Sequence, residues 1–173
     1  KVVMSKGVNY AASGLTGEFA ASVGNIYAGY ELFENPEEIE IDFLIMGSAN
    51  YSKEGAAAIA NKLIEVAELR KDAVAFISPY RGAFLTDDAL NPTSEILAKI
   101  TGYYAPVTSS SFAVLDSGYK YTFDRFNKEF RWVPMNADIA GLCARTDINN
   151  FPWYSPAGTS RGAILNAVKL AFN

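Results

Sequence analysis

Apolar residues along this chain alternate with polar ones over three stretches, and between those stretches they recur every three or four positions. The first spacing predicts strands and the second predicts helices. Ile39, Ile41 and Phe43 begin in alternation, and Leu44, Ile45 and Met46 continue as an unbroken apolar run, as expected of a strand entering a sheet covered on both faces. A turn follows at 47–51, after which Ser52 is placed to cap a helix by accepting a bond from its first free amides. Ala56, Ile59, Ala60, Leu63, Val66 and Ala67 then keep the i, i+3, i+4, i+7 spacing of an amphipathic helix that runs to about Lys71. Residues 73–77 are a second short apolar run, ended by Ser78 and Pro79, so the order strand, helix, strand predicts a right-handed parallel crossover. Asn91 as cap and Pro92 at the first helical position open another helix, which carries Ile96, Leu97 and Ile100 until Gly102 closes it. A third strand over 112–115 repeats the unit.

The pattern changes beyond Leu115. Asp116, Ser117 and Gly118 signal a turn, and Tyr119, Tyr121 and Phe123 alternate with polar residues up to Asp124, which predicts an antiparallel hairpin returning over 130–133 and stopped by Pro134. Asn136 is placed to cap a further helix through Ile139, Leu142 and Cys143 to Arg145. Residues 149–158 read as an aromatic and proline loop, and 162–172 fit either strand or helix. Toward the start, 27–33 holds about two turns of helix ended by Asn35-Pro36, since the residue before a proline avoids the helical region. Residues 1–25 are rich in Gly, Ser, Ala and Asn without periodicity, as in a loop or linking arm that a neighbour orders. The expected fold is therefore α/β, a mainly parallel sheet with crossover helices plus an antiparallel hairpin, with an arm over 1–25 and a core domain over 26–173. No internal repeat breaks that organisation.

Composition narrows the classes. At 173 residues with 50% hydrophobic content, the chain has the size and the apolar surface of one domain. Its 11 Phe, 10 Tyr and 2 Trp argue against disorder, because rings in that number need packing or a partner to cover them. A net charge of −4 removes the broad attraction on which nonspecific nucleic-acid binding depends, so no direct nucleic-acid partner is expected. The single cysteine, Cys143, makes no internal disulfide, and no apolar run approaches the length of a membrane span. Neither an oxidising compartment nor a membrane is implied. The first residue is not methionine and the last ones lie in an apolar stretch, so both ends are expected to be cuts through a longer polypeptide.

An alternating α/β chain invites an enzymatic reading, but the residues for one are missing. Without any histidine, Ser-His-Asp and Cys-His triads are excluded, and one cysteine leaves almost no zinc site of imidazole and thiolate. The segment Gly47-Ser48-Ala49-Asn50-Tyr51-Ser52-Lys53 follows a strand as a phosphate loop would, yet it fits neither G-x-x-x-x-G-K-[ST] nor G-x-G-x-x-G. The adjacent acids Asp87-Asp88 and Glu37-Glu38 point apart and read as solvated surface. Ser109, Ser110 and Ser111 lack the context of a nucleophile elbow, and Cys143 reads as a small buried hydrophobe on its helix. No catalysis, metal or cofactor is expected.

The run Phe130-Arg131-Trp132-Val133-Pro134-Met135-Asn136-Ala137-Asp138-Ile139-Ala140-Gly141-Leu142-Cys143-Ala144-Arg145-Thr146-Asp147 resembles the signature of contractile phage tail-sheath proteins, especially those of T-even-like myoviruses. Pro152-Trp153-Tyr154-Ser155-Pro156-Ala157-Gly158-Thr159-Ser160-Arg161-Gly162 is similar to the segment that follows it in that family. Upstream, 30–38, the strand at 41–46 and 73–79 fit as well, so the resemblance covers about 27–173. It implies a non-enzymatic subunit that polymerises as stacked rings around a rigid tail tube, stores a metastable extended state, and contracts to drive the tube through the host envelope. The implied partners are other sheath subunits in a helical homo-oligomer, the tail tube protein, and baseplate and neck proteins. The implied location is the virion tail, assembled in the host bacterial cytoplasm. The same resemblance implies a missing C-terminal part and terminal arms that add strands to neighbouring sheets.

Charge supplies the candidate contacts between subunits. Residues 31–42 carry Glu31, Glu34, Glu37, Glu38, Glu40 and Asp42 with no base, whereas 120–131 hold Lys120, Arg125, Lys128 and Arg131 against Asp124 and Glu129. Glu31, Glu34, Glu37 and Glu38 on one side, and Arg125 and Arg131 on the other, are candidate interface residues, with solvated faces as the alternative. Arg145, Asp147 and Arg161 join them, because an arginine beside an aromatic loop can pair with a carboxylate within the subunit or across a boundary. A small-molecule-binding α/β domain remains the alternative to the sheath reading as a whole.

Overall fold

The computed structural model describes residues 22–48, 52–86 and 89–172, together with the backbone of two short strands, β1 (Ala11–Ala12) and β2 (Leu15–Thr16), which pair antiparallel. The rest of the expected arm, the centre of the 47–51 turn and the Asp87-Asp88 pair lie outside the described residues.

The first helix, α1 (Val23–Glu31), starts four residues before the expected one and ends before Phe33. Ser22 explains the early start, since its side chain accepts from the Asn25 amide at 3.2 Å and satisfies a donor that the helix cannot. Residues 23–25 are thus helical, where the sequence pattern placed them in the arm. Val23, Ile26, Tyr27 and Tyr30 pack toward the core, and the Tyr27 hydroxyl donates to the Ala58 carbonyl at 2.7 Å.

The central unit is the expected crossover. Strand β3 (Phe43–Ile45), helix α2 (Lys53–Arg70) and strand β4 (Val74–Ile77) follow one another, and β3 and β4 run parallel with Leu44 opposite Ala75. Ser52 caps α2 by accepting from the Gly55 amide at 3.1 Å, and Lys71 ends it in the left-handed conformation at φ 64°. The six apolar positions read from the sequence are all fully buried, and with Leu44, Ala75 and Ile77 they form the centre of the core. Phe76 points to the opposite face and is also buried, packed edge-on against Phe43 at 5.1 Å. Both faces of β4 are therefore covered, as its unbroken apolar run requires.

Between β4 and the next long helix the chain makes a compact excursion, α3 (Arg81–Phe84), β5 (Leu85–Thr86) and β6 (Ala89–Leu90), whose Phe84 and Leu85 are buried. Helix α4 (Thr93–Tyr104) corrects two expectations. Asn91 is no cap, because its side chain is held by Thr86 Oγ1 at 2.8 Å and the Ala83 carbonyl at 3.1 Å, and Pro92 takes the cap position. Gly102 does not end the helix, which runs on to place the rings of Tyr103 and Tyr104 at the strand ends. Strand β7 (Ala113–Leu115) then pairs parallel with β4, giving the sheet order β3-β4-β7. The three expected strands are neighbours in one parallel sheet.

The hairpin is β8 (Tyr119–Asp124) and β9 (Glu129–Pro134), with Tyr121 opposite Trp132 and Phe123 opposite Phe130. Helix α5 (Asn136–Asn149) extends one turn past Arg145 and packs against β3 and β4. Asn136 sits inside its first turn and is not its cap: the Asn136 amide donates to Ser78 Oγ at 3.1 Å and its side chain to the Gly47 carbonyl at 2.8 Å. Residues 162–172 contribute only β10 (Lys169–Leu170), which pairs antiparallel with β8 and completes a second sheet, β10-β8-β9.

Candidate interaction surfaces

Parallel strands present their carboxyl ends to whatever lies beyond them, and here three strand ends meet the start of a helix. Gly47, Ser78 and Asp116 stand just past β3, β4 and β7, and Gly47 makes its turn at φ 65°, a conformation favouring glycine. The Asn136 amide donates to Ser78, the Ser78 hydroxyl donates to Asp116 Oδ2 at 2.5 Å, and the Gly118 amide donates to Asp116 Oδ1 at 2.9 Å. Tyr104 donates to the Asp116 carbonyl, and Tyr103 to the Ser78 carbonyl at 3.3 Å. Burial pushes the Asp116 carboxyl up to about 6 against the pull of Ser78 and Gly118, and it raises both tyrosine hydroxyls as well. A shallow recess of about 570 Å³ lies beside it, lined mainly by apolar atoms of Ile100, Tyr104, Leu115, Met135 and Ile139. The chain of bonds fixes α5 to the sheet. With Ser78 and Asp116 each also bonded to backbone amides of Asn136 and Gly118, the arrangement is a structural clasp.

The acidic stretch divides in two. Glu34 and Glu31 lie 2.8 and 3.7 Å from the buried Lys62 Nζ, so both answer a cation of their own chain. The hydrogen bond that Lys62 donates to Glu34 is the first cause holding Lys62 above its ordinary range, with burial working against it. Glu37 and Glu38 are exposed, their turn set by the Asn35 side chain accepting from the Glu37 amide at 3.1 Å. Neither makes an ion pair among the described residues. Arg70, with a fully buried guanidinium, ties this segment down by donating to the Phe33 carbonyl and to both oxygens of Asp72.

The basic stretch divides in the same way. Lys120 is buried and pairs with Asp138 at 2.7 Å and with Asn166 at 2.8 Å, and Arg131 lies 3.0 Å from Glu129 and 3.5 Å from Asp124. Arg125 is exposed at the hairpin tip beside Phe126, which is 98% exposed. One face of the hairpin is an aromatic ladder in which Phe123 and Phe130 lie 5.1 Å apart and Tyr121 and Trp132 5.0 Å apart, with Lys169 Nζ over the latter two. Trp132 is buried, while Phe123 and Phe130 are half-exposed.

Arg145, Asp147 and Arg161 lie around the aromatic loop that follows α5. Arg145 donates to the Arg161 carbonyl, not to a carboxylate, and the Arg161 guanidinium stacks on Tyr154 at 4.5 Å. Asp147 is exposed and joins neither arginine. Phe151 and Trp153 stack face to face at 4.8 Å, with Trp153 78% exposed, so the loop offers a preformed aromatic platform that none of the described residues covers. Cys143, expected in the core, is half-buried, and burial raises its thiol. The sequence alone did not single out Lys62, Ser78 or Asp116, because each gains its role from residues distant in the chain.

No family model matches the chain. Individual proteins do, and the three named here are tail sheath proteins of phages. The chain is 33% identical to the tail sheath protein of Enterobacteria phage T4 over 171 residues, which covers 95% of this chain and 26% of that protein. It is 35% identical to the tail sheath protein of Vibrio phage KVP40 over 154 residues, or 83% of this chain and 23% of that one. The tail sheath protein of Salmonella phage ViI is 30% identical over 111 residues. The chain belongs with the tail sheath proteins of T4-like phages, and it spans about a quarter of the length of the first two relatives.

Proposed function

We propose that this chain is the α/β core of a subunit that packs with copies of itself into the wall of a contractile phage tail. The subunit polymerises around the tail tube, and contraction of the assembly drives the tube through the host envelope. The observation that carries this reading is identity of 33% to a tail sheath protein along 95% of the chain, too extensive to come from one shared motif. Its partners on this reading are other sheath subunits, the tube protein, and baseplate and neck proteins, and it acts without catalysis in the virion tail after assembly in the host cytoplasm. Exposed aromatic surfaces at 123–130 and 151–154 support it, since large uncovered rings mark places where another chain docks. Arg125 lies at the tip of the first surface and Arg145, Asp147 and Arg161 around the second, while Glu37 and Glu38 stand on the separate acidic loop; these are the proposed contact residues, and the candidates Glu31, Glu34 and Arg131 are already paired within the chain.

Imaging the full-length protein by negative-stain electron microscopy tests the reading. Rings or hollow helical tubes are the expected result, and a uniformly monomeric protein at high concentration contradicts it. The recess beside Asp116 favours the small-molecule alternative, whose signature would be thermal stabilisation by a ligand from a metabolite panel.

A further inference from the structure

Among the described residues, two surfaces whose charges find no ion pair within the chain match each other. At the hairpin tip, Arg125 and Lys128 make no ion pair among the described residues, and between them stands Phe126 at 98% exposure. The tip is rigid. Asp124 accepts from the Phe126 amide at 2.9 Å, the Asn127 amide at 3.3 Å and the Asn127 side chain at 2.7 Å, and Lys128 closes the turn at φ 57°. These bonds hold the Asp124 carboxyl below its ordinary range, the Asn127 side chain first among them. At the other surface, the loop from Leu32 to Asp42 keeps Glu37, Glu38, Glu40 and Asp42 without an ion pair among the described residues. The same loop exposes Leu32 at 68% and Ile39 at 37%. It too is fixed, through the Asn35 carbonyl, which accepts from the Glu38 and Ile39 amides, and through the Arg70 bond to Phe33.

We infer that the hairpin tip of one copy seats in the acidic loop of a second copy, with Phe126 against Leu32 and Ile39, and with Arg125 and Lys128 facing Glu37, Glu38, Glu40 and Asp42. This inference rests on the sheath reading and names one contact within it. An exposed aromatic ring flanked by cations matches apolar side chains rimmed by carboxylates in both polarity and charge sign. Among the described residues, no hydrogen bond or ion pair joins tip and loop within one copy. The contact uses different patches on its two sides, so each copy offers a free tip and a free loop, and repetition builds a ring or a helix in place of a closed dimer. Glu31, Glu34 and Arg131 are spent inside the subunit and stand outside the contact.

The test is a charge-exchange cycle in the full-length protein, read as the concentration at which assembly begins and as the dependence of that concentration on salt. Arg125→Glu with Lys128→Glu raises the threshold about tenfold at low salt and flattens its salt dependence, and Glu37→Lys with Glu38→Lys does the same. All four changes together restore assembly toward the wild-type threshold. Phe126→Ala raises the threshold without altering the salt dependence. All these positions are exposed, and unchanged melting curves confirm that folding is intact; should a reversal fail to fold, Arg125→Gln with Lys128→Gln gives a smaller shift of the same sign. A wild type that forms tubes while the reversals leave threshold and salt dependence unmoved overturns the contact and leaves the sheath reading standing. A combined variant no better than its parents overturns it equally. A wild type that never assembles overturns the sheath reading and this contact with it.

Discussion

The hydroxyl of Ser78 donates to the carboxylate of Asp116 at 2.5 Å, joining two adjacent parallel strands one residue beyond their ends. The same Ser78 oxygen accepts from the first amide of α5, so the pair ties helix, strand and strand in one line. A helix N-terminus whose donor is met by a serine from another element is capped by the tertiary fold, and the helix cannot lift without breaking the sheet's edge contact.

Asp116 makes that clasp sensitive to pH. Its carboxyl is raised, first by burial, from 3.8 to about 6, so the folded chain holds this proton more tightly than the unfolded chain does. The stabilising contribution is present in full below about pH 4 and is lost as pH rises through about 6, a change of up to about 3 kcal/mol. Chemical denaturation of the full-length protein at pH values between 4 and 7.5 should show this slope, and Asp116→Asn should flatten it.

Lys120 is 4% exposed, and its ammonium depends on Asp138 and Asn166, which belong to α5 and to the segment before β10. Removing the carboxylate by Asp138→Ala leaves a buried cation with one neutral partner and should cost about 3 kcal/mol, whereas Lys120→Met, which removes the charge and keeps the volume, should cost less. Urea unfolding midpoints of the two variants check the order.

Leu63 lies on the fully buried face of α2 at the centre of the core. Truncation to alanine should lower stability by roughly 2 to 5 kcal/mol, because the close-packed surroundings collapse only partly around the lost atoms. The exposed Leu69 on the same helix should tolerate the change within about 0.5 kcal/mol. Thermal melts of both variants decide the comparison.

Local patterning was enough for the crossover unit, since the apolar spacing from Ala56 to Ala67 and the Ser52 cap are properties of neighbouring residues. The same reasoning misjudged Asn91 and Asn136, whose side chains look like caps in sequence and are captured by Thr86, Ala83 and Gly47 in the fold. Gly102 failed as a helix stop because burying the Tyr103 ring outweighs the small cost of a helical glycine. Charge runs were legible as runs. Which members were already spent was not, because Lys62 meets Glu34 across 28 positions and Lys120 meets Asn166 across 46.

In the proposed sheath, the core should move as one body when the assembly shortens. A close-packed interior with a clasp across its strand ends resists continuous deformation, and large changes are made by moving rigid units about their connections. Superposing 22–172 from extended and contracted assemblies should leave the order β3-β4-β7 and the register of β8 with β9 unaltered.

The most direct measurement is a cryo-electron-microscopy reconstruction of the assembled tail that contains the full-length protein, at a resolution that separates strands. The account predicts that every repeat of the tail's outer wall contains the parallel sheet β3-β4-β7 with α2 packed on it and the β8–β9 hairpin reaching a neighbouring copy. A wall built without this fold, or the fold found only in the inner tube or the baseplate, would contradict it.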